Sequence, residues 1–224
     1  MQRLTDACCE KCTHTTAEPC AKYVECRRTG PLCHDDSGCR KDRQDRIALV
    51  RRERMERPVV TVGAGTCGRG AGAMKVIEAV HAWAQSAKVD LRVEGTGCIG
   101  MCTAEPLLDV HVPGKTRLFF GNVRENQVSR LLDAVLNHGT LPSAPKALGQ
   151  IPDESAETWQ GVPSLWEHPF FAPQNRRVLE HCGVSSPESL DAYLCGGGFA
   201  AFSKAVSSMT PDEIIRDVEA SGLR

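Results

Sequence analysis

The middle of this 224-residue chain predicts an α/β fold built on a mixed sheet, and three observations carry that expectation. A short apolar run, Pro58 to Val62, reads as a buried strand and passes at once into a helical stretch, Gly70 to Ala87. Val89, Leu91 and Val93 then alternate as a second strand. Two further strands, Leu107 to Val112 and Thr116 to Phe120, flank Pro113-Gly114-Lys115 as a hairpin. A doubly wound sheet would need more strand-helix crossovers after Glu94, where the chain instead turns into a cysteine loop and that hairpin.

Taken in order, residues 1–39 form a cysteine-rich N-terminal segment. It holds seven of the chain's twelve cysteines, with His14 and His34 among them. A reducing compartment keeps thiols free, so this density points to metal and not to disulfides. The Cys9-x-x-Cys12 pair is its most ligand-like feature, and a second metal site is expected from Cys9, Cys12, Cys20 and Cys26. Zinc or a second iron–sulfur cluster would suit it, since the later spacings match no standard zinc template. Residues 40–57 are dense in arginine with Asp and Glu between, as in an exposed connecting helix that Pro58 ends.

Residues 58–138 carry the mixed-sheet domain. Val76, Ile77, Val80 and Trp83 recur at helical spacing and form its buried face, and a last helix is expected from Arg124 to His138. Residues 139–165, with Pro142, Pro145 and Pro152 and no periodicity, read as a linker. Residues 166–224 read as short helices, the last announced by Thr210 as cap, Pro211 at the first helical position and Glu213 at the third.

The chemistry lies in two short segments. Gly63-Ala64-Gly65-Thr66-Cys67-Gly68 spells a dinucleotide-binding fingerprint between a strand and a helix, with Asp90 or Glu94 about where a ribose would need a carboxylate. The same glycines serve a metal cluster differently, because bare backbone can wrap an inorganic core while Cys67 supplies a thiolate. Cys98-Ile99-Gly100-Met101-Cys102 follows, two thiolates four residues apart with a glycine that lets the chain curl back. This second segment favours the cluster, and the strand order above makes the fingerprint a decoy.

Together, the stretches 62–68, 97–106 (Gly-Cys-Ile-Gly-Met-Cys-Thr-Ala-Glu-Pro), Val-Pro-Gly at 112–114 and Phe-Gly-Asn-Val at 120–123 resemble the thioredoxin-like 2Fe-2S ferredoxin domains that accompany NADH-oxidising flavoproteins. The resemblance covers about 80 residues, from Arg57 to His138. It implies a thioredoxin-like fold and a 2Fe-2S cluster with Cys67, Cys98 and Cys102 as ligands and the amides of Gly65, Gly68 and Gly100 aimed at sulfur. The family's first cysteine would stand at position 62, which is Val62 here, so a fourth donor must come from the N-terminal cysteines, Cys182, Cys195 or an oxygen or nitrogen ligand such as Thr66. A thiol–disulfide enzyme on the same fold would need a second cysteine where Gly70 stands.

The end of the chain, from Gly197-Gly198-Phe199 to Ser221-Gly222-Leu223-Arg224, resembles the helical entry to the NADH-binding flavoprotein subunit of complex-I-type dehydrogenases and NAD(P)-reducing hydrogenases. In that family Ser-Gly-Leu-Arg leads into a glycine-rich flavin loop. The resemblance implies a subunit truncated before its flavin domain, with FMN and NAD bound only downstream and no catalytic site in these 224 residues.

A net charge of −1 argues against general affinity for nucleic acid. There is no run of 18 apolar residues and no apolar signal core, which leads to an expectation of a cytoplasmic chain without membrane insertion. The expected function is single-electron relay through a 2Fe-2S cluster among the subunits of an NADH-linked oxidoreductase. A cluster-free thioredoxin-like module that docks to a flavoprotein is the alternative.

Overall fold

The computed structural model describes residues 37–223; the metal site expected at Cys9, Cys12, Cys20 and Cys26 lies outside them. In chain order the elements are α1 (Ser37–Arg51), β1 (Val59–Gly63), α2 (Thr66–Ala71), α3 (Ala73–Ala87), β2 (Arg92–Thr96), β3 (Leu108–His111), β4 (Arg117–Phe120), α4 (Glu125–Leu132), β5 (Ala147–Ile151), α5 (Leu190–Cys195), α6 (Ala200–Ser208) and α7 (Pro211–Ala220). They fall into two compact units, residues 55–187 and residues 37–54 with 188–223.

The larger unit is a five-stranded sheet in the order β2-β1-β3-β4-β5. β1 and β2 run parallel across the α2–α3 crossover, and β1–β3, β3–β4 and β4–β5 are antiparallel. A parallel pair followed by a hairpin and a closing helix is the thioredoxin-like α/β plan with a mixed sheet, and that is the fold of this unit.

Strand alternation divides the sheet into two chemically different faces. Val60 and Val62 of β1, Leu108 and Val110 of β3, and Leu118 and Phe120 of β4 turn to the helices. There they pack with Val76, Val80 and Trp83 of α3 and Val128, Leu131 and Leu132 of α4 in one dry core. Trp83 Nε1 donates to Asp133 Oδ1 at 3.0 Å just past α4, which satisfies the indole inside this layer.

The alternate residues are Thr61, Asp109, Arg117 and Phe119, three of them polar and all buried. A second, smaller apolar cluster of Ile99, Ala104, Leu107, Phe119, Leu165 and Phe171 forms here. Arg117 and Asp109 meet on this face in a two-pronged pair, Nε to Oδ1 at 2.6 Å and Nη2 to Oδ2 at 2.8 Å.

Several details depart from the expected elements: α1 ends at Arg51, before the rest of the 40–57 stretch, and β2 starts at Arg92, after Val89 and Leu91. The helix after β1 is broken at Gly72, whose φ of +104° ends α2 and starts α3, a left-handed step that a side chain would resist. Within the stretch read as a linker, Ala147–Ile151 forms β5 and adds an edge to β4. Gly149 there passes so close to Leu165 that a Cβ would meet its Cα at 2.7 Å, and the Gln150 side chain donates to the carbonyls of Trp159 and Val162.

The smaller unit joins α1 to α5. Ile47, Leu194 and Cys195 are buried, and Arg51 Nη2 donates to the Cys195 carbonyl at 3.1 Å. At the start of α7, Thr210 and Glu213 exchange hydrogen bonds in the expected capping box, with Pro211 at the first turn.

Candidate metal centre

Two loops at one end of the sheet carry the candidate ligands. The first follows β1. Gly63 N donates to Leu107 O and Ala64 N to Thr96 O, both at 2.9 Å, so the chain leaves the sheet tied to its neighbours on either side. α2 then opens with Thr66 and Cys67, both exposed. The turn is tight because position 68 has no side chain: a Cβ on Gly68 would lie 2.0 Å from the Gly63 carbonyl oxygen. Gly65 brings the first loop against the second, since a Cβ there would sit 3.4 Å from Cys98 N and 3.5 Å from Cys98 Cβ.

The second loop follows β2. Cys98 is half-buried, Ile99 is buried in the small apolar cluster, and Gly100 has a φ of +101°, the left-handed conformation that turns the chain back. Cys102 is exposed and starts a short 3-10 turn to Ala104. The result is a thiol pair, Cys98 Sγ to Cys102 Sγ at 3.7 Å, with the Gly100 amide donating to Cys98 Sγ at 3.2 Å. Burial pushes the Cys98 thiol up. The Gly100 amide opposes this, while the Cys102 thiol and the charge of Glu105 add to it.

That separation tests the fit to a metal. A tetrahedral ion with metal–sulfur bonds of about 2.3 Å holds its sulfurs about 3.8 Å apart, so Cys98 and Cys102 already have the spacing of two thiolates on one ion. Cys67, on the abutting loop, is the third thiol. Among the described residues no three Cys, His, Asp or Glu side chains stand close enough to hold one ion, so the residues fit one half of a two-iron site without closing the other.

The other expected donors are placed unequally. Val62, at the position where the resemblance would have a cysteine, is fully buried in β1 and faces the helical layer, where an aliphatic side chain completes the core. Thr66 is exposed beside Cys67, Cys195 lies buried in α5 of the smaller unit, and Cys182 is half-buried in the sheet unit. Gly100 gives its amide to a sulfur; Gly65 and Gly68 act through close backbone approach.

One residue of the site went unread in the sequence. Glu105 is 6% exposed, its Oε2 accepts from Leu107 N at 2.8 Å, and Oε1 has no partner. Its carboxylate fills the space that the missing side chains of Gly63 and Gly68 leave, at 2.6 Å and 3.1 Å from where their Cβ atoms would be. Burial pushes its carboxyl up, against the pull of the Leu107 amide. Its only sequence signal is its place three residues after Cys102 and just before Pro106.

No protein-family model matches the chain. It is 26% identical over 100 residues to the NADP-reducing hydrogenase subunit HndB of Solidesulfovibrio fructosivorans, a match that spans 44% of this chain and 79% of that protein. Among solved structures it is similar to a thioredoxin-like 2Fe-2S ferredoxin from Aquifex aeolicus, at 17% identity and a TM-score of 0.37 over 46% of this chain and all of that one. A second structure of the wild-type Aquifex protein gives 18% and 0.35 over 42% and 97%. No helix among the described residues is long and apolar enough to cross a membrane.

Proposed function

We propose that the chain relays single electrons through a 2Fe-2S cluster held by Cys67, Cys98, Cys102 and one further donor, as part of a multisubunit NAD(P)-linked redox complex. The observation that carries the reading is the Cys98–Cys102 pair, set at ligand spacing by a left-handed glycine. The likeness to a hydrogenase subunit and the ferredoxin-type fold support it. The cluster, when bound, supplies a one-electron couple, and the chain's own residues set its surroundings. The Gly100 amide neutralises charge on the Cys98 sulfur, and Ile99 buries one side of the loop. Cys67 and Cys102 face outward, where a redox partner can approach. FMN and NAD would belong to that partner.

The absence of three converging donors among the described residues favours a second reading, a cluster-free docking module. Anaerobic purification followed by iron, sulfide and zinc analysis, with EPR of the dithionite-reduced protein, separates the two. About two irons and two sulfides per chain, with a reduced 2Fe-2S signal that Cys98→Ala abolishes, is the expected result. Zinc alone, or a spectrum untouched by Cys98→Ala, refutes the relay.

A further inference from the structure

We infer that Arg176 is a positioning residue of this centre: it clamps the Cys98 loop by its backbone, and its charge answers the thiolates that a loaded site carries. The inference rests on the relay reading and deepens it.

Arg176 sits on a strap, residues 170–185, that lies against the cysteine loop, and its guanidinium is the fork between the two. Nη1 donates to the Ile99 carbonyl at 2.9 Å, while Nη2 donates to the carbonyls of Leu179 at 3.0 Å and Cys182 at 3.3 Å. The strap itself is anchored on the sheet. Arg117 donates to the carbonyls of Val184 at 2.8 Å and Gly183 at 3.2 Å, and Thr96 Oγ1 donates to the Ser185 carbonyl at 3.3 Å. Gly183 then packs on the loop so closely that a Cβ there would stand 2.7 Å from Ile99 Cβ. Ile99 lies between Cys98 and Gly100, the residue whose left-handed φ of +101° turns the chain back. A glycine leaves such a turn conformationally free, so a carbonyl fixed one residue before it limits what that freedom can do to the spacing of the thiol pair.

The charge of this clamp is the second observation. Arg117, the other arginine that holds the strap, is neutralised by Asp109. Arg176 is half-buried, and among the described residues no carboxylate pairs with it. It touches the three carbonyls, Gln174 Oε1 at 3.3 Å, and the rings of Phe171 and Trp166 at 5.5 and 5.8 Å, and its buried Nε has no hydrogen-bond partner. A cation so placed gains from negative charge nearby. Loading exchanges thiol protons for bonds to metal and leaves thiolate charge on the loop. One electron accepted from a redox partner adds one more negative charge, with no bond made or broken, so the guanidinium favours the reduced state. The path from Nη1 through the Ile99 carbonyl to Cys98 Sγ is within about 12 Å. At that distance, with an effective dielectric constant of about 20, one unit charge changes the ratio of reduced to oxidised centre about tenfold.

The test uses the full chain, with far-UV circular dichroism to check that each variant folds, and reads the two roles separately. Hydrogen exchange of the unloaded protein reads the clamp: in Arg176→Gln the amides of residues 98–102 should exchange about tenfold faster or more. An EPR-monitored redox titration, after anaerobic loading with ferrous iron and sulfide, reads the charge. Arg176→Gln should lower the reduction potential by a three- to tenfold change in the reduced-to-oxidised ratio, about 30–60 mV for one electron. Arg176→Lys keeps the charge but not the fork, so it should hold the parent potential while the loop still exchanges faster. Arg177→Gln, a change at the exposed neighbour, should move neither readout. Parent-like exchange and potential in Arg176→Gln would overturn the inference and leave the relay reading standing. Equal falls in potential for Arg176→Gln and Arg176→Lys, or for Arg177→Gln, would overturn the role of its charge. A parent protein that binds no iron would refute the relay reading and the charge role with it, and exchange in the unloaded chain would still decide the clamp.

Discussion

Replacing Asp109 by alanine should be among the most damaging single changes in the sheet unit. The Arg117 and Asp109 side chains are 6% and 4% exposed, so the mutation leaves a guanidinium inside the protein without its counter-charge. Removing one partner of a buried, hydrogen-bonded ion pair costs about 3–5 kcal/mol. Arg117 keeps two carbonyl acceptors at Gly183 and Val184, which are dipoles and not charges, so they offset only part of that loss. The double change Asp109→Leu with Arg117→Met removes both charges, and its main cost is two carbonyls without donors, about 1–3 kcal/mol each. It should therefore cost well under the sum of the single changes. Urea unfolding followed by tryptophan fluorescence isolates the unit, because all three tryptophans, Trp83, Trp159 and Trp166, lie within residues 55–187. With a slope of about 2 kcal/mol per molar urea, Asp109→Ala should move the midpoint down by about 2 M. A shift below about 0.5 M, or a double variant as unstable as the two singles added, would show that the pair is not held as argued.

The same fluorescence assay serves two further expectations. Because burial raises the Glu105 carboxyl, the folded chain binds its proton more tightly than the unfolded one. The contribution is favourable at low pH and is lost as pH rises from the ordinary glutamate value of 4.5 through the raised one. Glu105→Gln should therefore gain stability over wild type at pH 8 and little at pH 4; parallel pH profiles would contradict the buried carboxyl. Gly68→Ala pushes a methyl into the Gly63 carbonyl and should cost about 3 kcal/mol or more, whereas Gly70→Ala, with open space around it, should gain about 0.4–1 kcal/mol. Equal effects at the two glycines would mean that the turn is looser than its backbone distances say.

Much of the sheet could be read from periodicity, because it is set by local alternation. The hairpin at Pro113-Gly114 and the Val76–Trp83 stripe each carry their own period. Val89, Leu91 and Val93 all pack on the core, but β2 itself runs Arg92–Thr96 and holds only Val93 of the three. β5 could not be read this way. Ala147–Ile151 has a glycine and a glutamine at its centre, and both are there for contacts with residues 159–165 that no pattern announces. The cysteine pair was legible from its spacing, and the gap at Val62 from the family resemblance. The residues that surround the pair were not: Arg176, Gly183 and Arg117 act on backbone carbonyls or backbone space far away in sequence, and Glu105 answers two glycines on another loop.

Ligand spacing has a chemical cost in a chain that holds no metal. Sulfurs 3.7 Å apart need only a modest side-chain rotation to reach the bond length of a disulfide, about 2.05 Å, and Gly100 leaves the loop free to follow. Air removes two electrons and two protons from such a pair and locks it shut, and iron offered afterwards meets a capped site. Protein prepared under oxygen would then look like a scaffold that never carried iron, whatever its history in the cell, until a reductant reopens the loop.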